Sequence, residues 1–171
     1  MKKLLLILSL FFAGCINVPD GVETIDGFEL RRYLGKWYEI ARLDHSFERG
    51  LEKVSAEYSL RDDNGVKVIN RGYDPVKNKW KEAVGKAYFT GDPGKVELKV
   101  SFFGPFYGAY NIIELDRENY AYALVCGPDR SYLWILARTP ELDRRIIVRL
   151  VEKAASLGFD TGNLIYVNHK D

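Results

Sequence analysis

Cysteine and histidine are nearly missing from this chain, whose 171 residues hold two of each. Two cysteines allow at most one disulfide, and His45 and His169 stand apart, with no Cys/His cluster at metal-ligand spacing. Neither histidine looks like a general base, and no glycine-rich phosphate loop follows a strand-like segment, so no metal and no cofactor is implied. Charge of one sign is lacking too. Lys and Arg number 25 against 24 Asp and Glu, which leaves no field to favour nucleic acid. The apolar run Leu4 to Phe12 falls short of the roughly 20 residues that a membrane-spanning helix needs. What is abundant is aromatic: 11 Tyr, 9 Phe and 3 Trp suit pleated strands around a roomy interior better than a helical bundle. The length fits one domain with a sizeable core.

Lys2 and Lys3 ahead of the apolar run mark an export signal over residues 1–14. Ala13-Gly14-Cys15 then resembles the lipobox of bacterial lipoproteins, although Phe12 stands where Leu, Val or Ile is usual. The resemblance implies that Cys15 becomes the acylated first residue, followed by a tether over 15–27; several acyl chains anchor stably where one does not. Ile16 after the cysteine, rather than Asp, implies the outer membrane by the same resemblance. An ordinary cleaved signal with a chance cysteine is the alternative. If Cys15 is acylated, Cys126 has no partner for an intrachain disulfide, and its Leu124-Val125-Cys126 setting suits an inert buried thiol better than a reactive one.

From Gly35 onward, short segments of period-two alternation are separated by turn residues, which predicts an all-β fold. Eight strands are expected, at 35–43, 52–61, 65–73, 79–90, 95–103, 107–116, 120–126 and 132–138. Asp62-Asp63-Asn64-Gly65, Gly91-Asp92-Pro93-Gly94 and Asp116-Arg117-Glu118-Asn119 suit tight hairpins. In an antiparallel up-and-down meander those three share one end of a barrel. The other connections, Asp44 to Gly50, Asp74 to Asn78, Gly104 to Phe106 and Gly127 to Ser131, share the opposite end, where Phe47, Phe106 and Tyr107 suggest a mouth. Helical spacing between Glu141 and Leu157 predicts one amphipathic helix, stopped by Gly158, and Asn163 to His169 a short final strand.

An eight-stranded barrel is just wide enough either to be filled by side chains or to hold one small ligand. Small residues among large ones, such as Gly85 and Ala87 beside Phe89, favour space. The expected apolar lining is Ala41, Val54, Ala56, Tyr58, Phe89, Leu98, Val100, Phe102, Ile113, Trp134 and Leu136. Two polar residues, Glu39 and Asn111, are expected to face the same cavity. An unpaired carboxylate there must protonate or find a partner. It either meets a ligand's head group or completes a structural bond.

Gly35-Lys36-Trp37 at the first strand, about 100 residues before Arg138 at the end of the eighth, resembles the entry motif of the lipocalin family. The glycine bends the chain out of a short helical turn over Glu29 to Leu34. In the family the tryptophan closes one end of the barrel and the arginine stacks on it. Longer segments are similar to the bacterial outer-membrane members, among them Trp37 to Arg42, Asp44 to Leu51, Val100 to Gly108, Ala123 to Arg130 and Tyr132 to Arg138. The resemblance implies a lipocalin domain over 28–171 that binds fatty acids or lysophospholipids for storage, transport or scavenging in envelope maintenance, and that is able to form a homodimer. An enzyme acting on lipid through Glu39, His45 or Cys126, and a solid-cored envelope scaffold, are the competing readings.

Overall fold

The computed structural model describes residues 17–91 and 95–170. The export signal, Cys15 and part of the expected turn at Gly91 to Gly94 lie outside them.

A short helix α1 (Leu30–Tyr33) leads into β1 (Gly35–Arg42), β2 (Glu52–Leu60), β3 (Val66–Asp74), β4 (Lys79–Phe89), β5 (Glu97–Phe103), β6 (Phe106–Leu115), β7 (Tyr122–Cys126) and β8 (Leu133–Ala137). Each strand pairs antiparallel with the next, and β1 also pairs with β8, which closes the barrel. Helix α2 (Arg144–Ser156) follows, capped by the Asp143 carboxylate on the Arg145 amide at 2.8 Å and ended at Gly158 with φ +83°. A 3₁₀ turn (Thr161–Asn163) then leads to β9 (Ile165–Tyr166), shorter than expected because only two residues pair regularly with β1.

The final segment has more to do than that pairing shows. β1 meets β2 only from Gly35 to Tyr38. Beyond it the strands part, and the C-terminal residues fill the gap: the Val167 amide donates to the Ile40 carbonyl at 3.0 Å and the Lys53 amide to the Asn168 carbonyl at 2.8 Å. His169 Nε2 sits 2.8 Å from the Glu39 carbonyl. This histidine adds a side-chain bond to the backbone ones that bridge the gap.

Two apolar clusters result. One fills the barrel around Trp37, Tyr58, Val68, Ile112 and Leu136. The other lies outside it, where Leu150 and Ala154 of α2 press on Leu124, Cys126, Leu133 and Ile135. The segment 17–27 also packs: Val22 is buried in the outer cluster, and Ile25 bonds through its backbone to Ile112 and Val96 at 3.0 and 3.3 Å.

The second cluster changes three of the expected lining positions. Ala41 belongs to it because the ladder between β1 and β8 shifts by one residue between Glu39 and Ala41, so Ile40 and Ala41 both turn outward and Arg42 turns in. Ile113 belongs to it as well, and Asn111 shares that outer face, since Tyr110 and Ile112 are the inward residues of β6. The β6 alternation misleads because helix and tether cover the outer face, leaving both faces apolar. Asn111 therefore donates to the carbonyls of Gly127 at 3.1 Å and Asn17 at 3.4 Å rather than meeting a cavity.

Candidate ligand-binding site

The barrel interior divides into a filled floor and an open cup. At the floor, Trp37 is fully buried, its Nε1 donates to the Tyr33 carbonyl at 2.8 Å, and its ring stacks on Tyr33 with centroids 4.5 Å apart. Arg138 lies 4.0 Å over the other indole surface and donates to the carbonyls of Arg32, Leu34, Lys36 and Tyr120 at 2.7 to 3.2 Å. Gly35, with φ +94°, gives the turn that brings these together. Above them the hydroxyls of Tyr33, Tyr110 and Tyr58 form a chain with contacts of 2.7 and 3.0 Å. Burial pushes all three phenols upward, so they stay neutral donors and acceptors. The cavity left here is about 20 Å³, lined by Tyr58, Leu98, Val100 and Ile112 among others. That is room for about one water, not a ligand.

Toward the mouth the same inner face changes character. Ala56, Val100, Phe102 and Trp134 are only half-buried, and Ala83 and Gly108, which share that face by register, are exposed. Water thus reaches inner-face residues halfway down the barrel. Not every small residue leaves space. A Cβ at Gly85 would lie 2.8 Å from the Phe102 ring, and one at Gly72 2.9 Å from Leu51, so these two glycines accept plugs from neighbouring elements. Nothing lies within 4 Å of a Cβ at Gly108. Val54 and Leu136 are buried in the wall, and Phe89 packs against the inner cluster.

A buried polar cluster borders the cup. Arg42 donates from Nη1 to Glu39 Oε1 at 2.7 Å and from Nη2 to the carbonyls of Glu48 and Leu51 at 2.9 and 3.3 Å. Glu48 Oε2 lies 2.9 Å from His45 Nε2 and accepts from Trp134 Nε1 at 3.2 Å. Burial, then the Glu48 charge, raises Glu39 well above the usual carboxylate range against the pull of Arg42. For Glu48 burial is outweighed by bonds from His45, Glu39 and Trp134, which hold its carboxyl low. The two carboxyls are thus pushed apart, Glu39 toward its protonated form and Glu48 toward its charged one.

Of this cluster, only Glu39 is marked by its strand alternation. Arg42 is hidden by the β1 bulge, and His45 and Glu48 by the inward fold of their loop. The available signal is the demand of a buried carboxylate for a cation within reach, which Arg42 meets. At the rim Phe47 stacks on His45 at 3.8 Å and Phe106 is exposed, while Tyr107 turns to the outer wall beside Lys99. Burial pushes the Cys126 thiol up to about 12, the state of an unreactive cysteine.

A family model described as a lipocalin-like domain matches residues 28–169. The chain is a lipocalin. This lipocalin is 55% identical over 171 residues to the Outer membrane lipoprotein Blc of Vibrio cholerae serotype O1, covering 99% of this chain and 100% of that one. It is 59% identical over 149 residues to the protein of the same name in Escherichia coli strain K12, with 87% and 84% covered. Insecticyanin from the tobacco hornworm Manduca sexta shares the fold, with a TM-score of 0.71 at 21% identity over 91% of this chain and 88% of that one. The close relatives place this lipocalin among the lipid-anchored proteins of the bacterial outer membrane.

Proposed function

We propose that this lipocalin carries one acyl chain of a fatty acid or lysophospholipid in the open half of its barrel, held at the outer membrane through acylated Cys15. The observation that carries the reading is the water-accessible cup of Ala56, Ala83, Val100, Phe102, Gly108 and Trp134, interrupted on this face by Asn70, above a sealed floor. Each methylene moved from water into such a cup contributes roughly 0.8 kcal/mol, so several together exceed the cost of ordering a chain. The polar cluster at the border suits a head group. Arg42 Nε has no acceptor among the described residues and is a donor for a phosphate or carboxylate oxygen. Binding rather than turnover is supported by the bond from His169 to the Glu39 carbonyl and by the raised Cys126 thiol.

A native mass spectrum of the protein extracted from the envelope tests this directly. The expected spectrum shows one lysophospholipid or fatty acid per barrel, acyl mass on the peptide that begins at Cys15, and any paired form. A barrel that emerges empty and takes up neither added lysophosphatidylethanolamine nor oleate contradicts the lipid reading.

A further inference from the structure

The outer wall of the barrel carries a larger space than the barrel floor does. Across β1 to β4 runs a groove of about 340 Å³, at the lower end of the roughly 300–1,000 Å³ of small-molecule sites. Its lining comes from the side of the sheet that faces away from the interior. Trp37 and Glu39 point inward from β1, so Lys36 and Tyr38 point out; Ser55 and Arg71 lie level with Tyr38 on the next two strands, as the pairs Tyr38↔Ser55 and Ser55↔Arg71 show. Trp80 of β4 adds a ring that is 59% exposed. His169 of the C-terminal segment joins them, its imidazole edge-on to Tyr38 with centroids 5.6 Å apart.

Polar groups in this groove are left over from the fold. Ser55 is only 6% exposed, yet its hydroxyl makes no hydrogen bond to the described residues, so the groove is where its partner must come from. Lys36 Nζ lies 4.6 Å over the Tyr38 ring and makes no ion pair among the described residues. Arg71 is held by two carboxylates, from Nε to Glu82 at 2.8 Å and from Nη1 to Glu57 at 2.9 Å, which fixes the guanidinium and leaves Nη2 without an acceptor among the described residues. One ammonium, one guanidinium nitrogen and one hydroxyl are thus on offer beside two aromatic rings. An acyl chain would leave those donors unpaired. A polyanion would meet repulsion from Glu57 and Glu82. A ring that presents C–H groups on its faces, hydroxyls at its edge and a single negative charge satisfies all of them.

We propose that the outer groove binds a sugar acid, a pyranose with one carboxylate, which places its charge at Lys36 and Arg71 Nη2, a hydroxyl at Ser55 and its ring against Tyr38 or Trp80. The site lies outside the barrel and does not rest on the lipid reading. Its test is isothermal titration of the full chain in phosphatidylcholine nanodiscs with glucuronate, alongside glucose, which lacks the charge, and acetate, which lacks the ring. One glucuronate per chain is expected, with a Kd of about 1 mM or below. Glucose and acetate should each bind at least about tenfold more weakly, and Lys36→Ala should weaken glucuronate by a similar factor, as for the loss of a charge-assisted hydrogen bond. Ser55→Ala should cost about threefold, as for a neutral one. Both variants change one side chain on the outer face of the wall, and an unchanged circular dichroism spectrum shows that each still folds. The proposal is overturned by no saturable heat with glucuronate, by glucose or acetate binding as tightly, or by glucuronate binding that is indifferent to either substitution.

Discussion

The floor and the cup of this barrel are built from the same residue types, yet one is sealed and the other admits water. At the floor every large ring has a partner: Trp37 lies between Tyr33 and Arg138, and Tyr58, Tyr110 and Tyr33 share hydroxyl contacts. In the cup the plugs run out. Phe102 fills the place above Gly85 and Leu51 that above Gly72, whereas no side chain fills the space at Gly108. A barrel's capacity is therefore set by which small wall residues are matched by a neighbour, not by how many there are.

The largest effect expected from breaking this contrast is at the floor. Trp37→Ala removes the indole from a fully buried site together with the surface on which Arg138 stacks, and a loss of about 3–5 kcal/mol in urea unfolding is expected, the range for deleting a buried aromatic. A loss under about 1 kcal/mol means the floor is looser than its geometry.

Next comes filling the cup. Gly108→Phe introduces a ring into open space, so stability should change by less than about 1 kcal/mol, as at an exposed site. Affinity for lysophospholipid should fall at least about tenfold, which is about 1.4 kcal/mol. Unchanged affinity in a titration calorimeter means the acyl chain lies elsewhere.

Most of the architecture is legible in the sequence, and the reason is local. Strands such as β3 and β4 keep a regular register from Val66↔Ala87 to Asp74↔Lys79, so period-two reading succeeds there. The pairing of Trp37 with Arg138 comes from the family resemblance of Gly35-Lys36-Trp37 and Arg138, not from any local pattern. Legibility fails where a ladder shifts, at Ala41, and where an outer face is covered, at Asn111 and Ile113. Neither condition leaves a mark in the hydropathy of the strand itself. The division into floor and cup is also invisible, because it depends on where Leu51 and Phe102 land after the chain has folded.

The smallest expected effect is at the border between the two halves, and it depends on pH. The folded-state titration of Glu39 lies above its unfolded value of about 4.3. Its contribution is thus fully present below that pH and is lost as pH rises through the folded value. Glu48 has the opposite sign: its contribution is present above about 4.3 and fades as pH falls through its lowered value. Glu39→Gln copies the protonated carboxyl, accepting from Arg42 and donating toward Glu48. Urea unfolding should show stability at pH 7 equal to or above that of the parent, with the decline above pH 5 flattened. A loss beyond about 2 kcal/mol at both pH values means that Glu39 is charged and paired with Arg42.

The central claim is that an acyl chain occupies the cup and stops at the floor. It is tested most directly by titrating the protein with lysophospholipid brominated along its acyl chain, a short-range quencher, and reading Trp134 and Trp37 separately in Trp→Phe backgrounds. Strong quenching of Trp134 with Trp37 nearly unaffected is the predicted result. Equal quenching of both, or of neither, contradicts it.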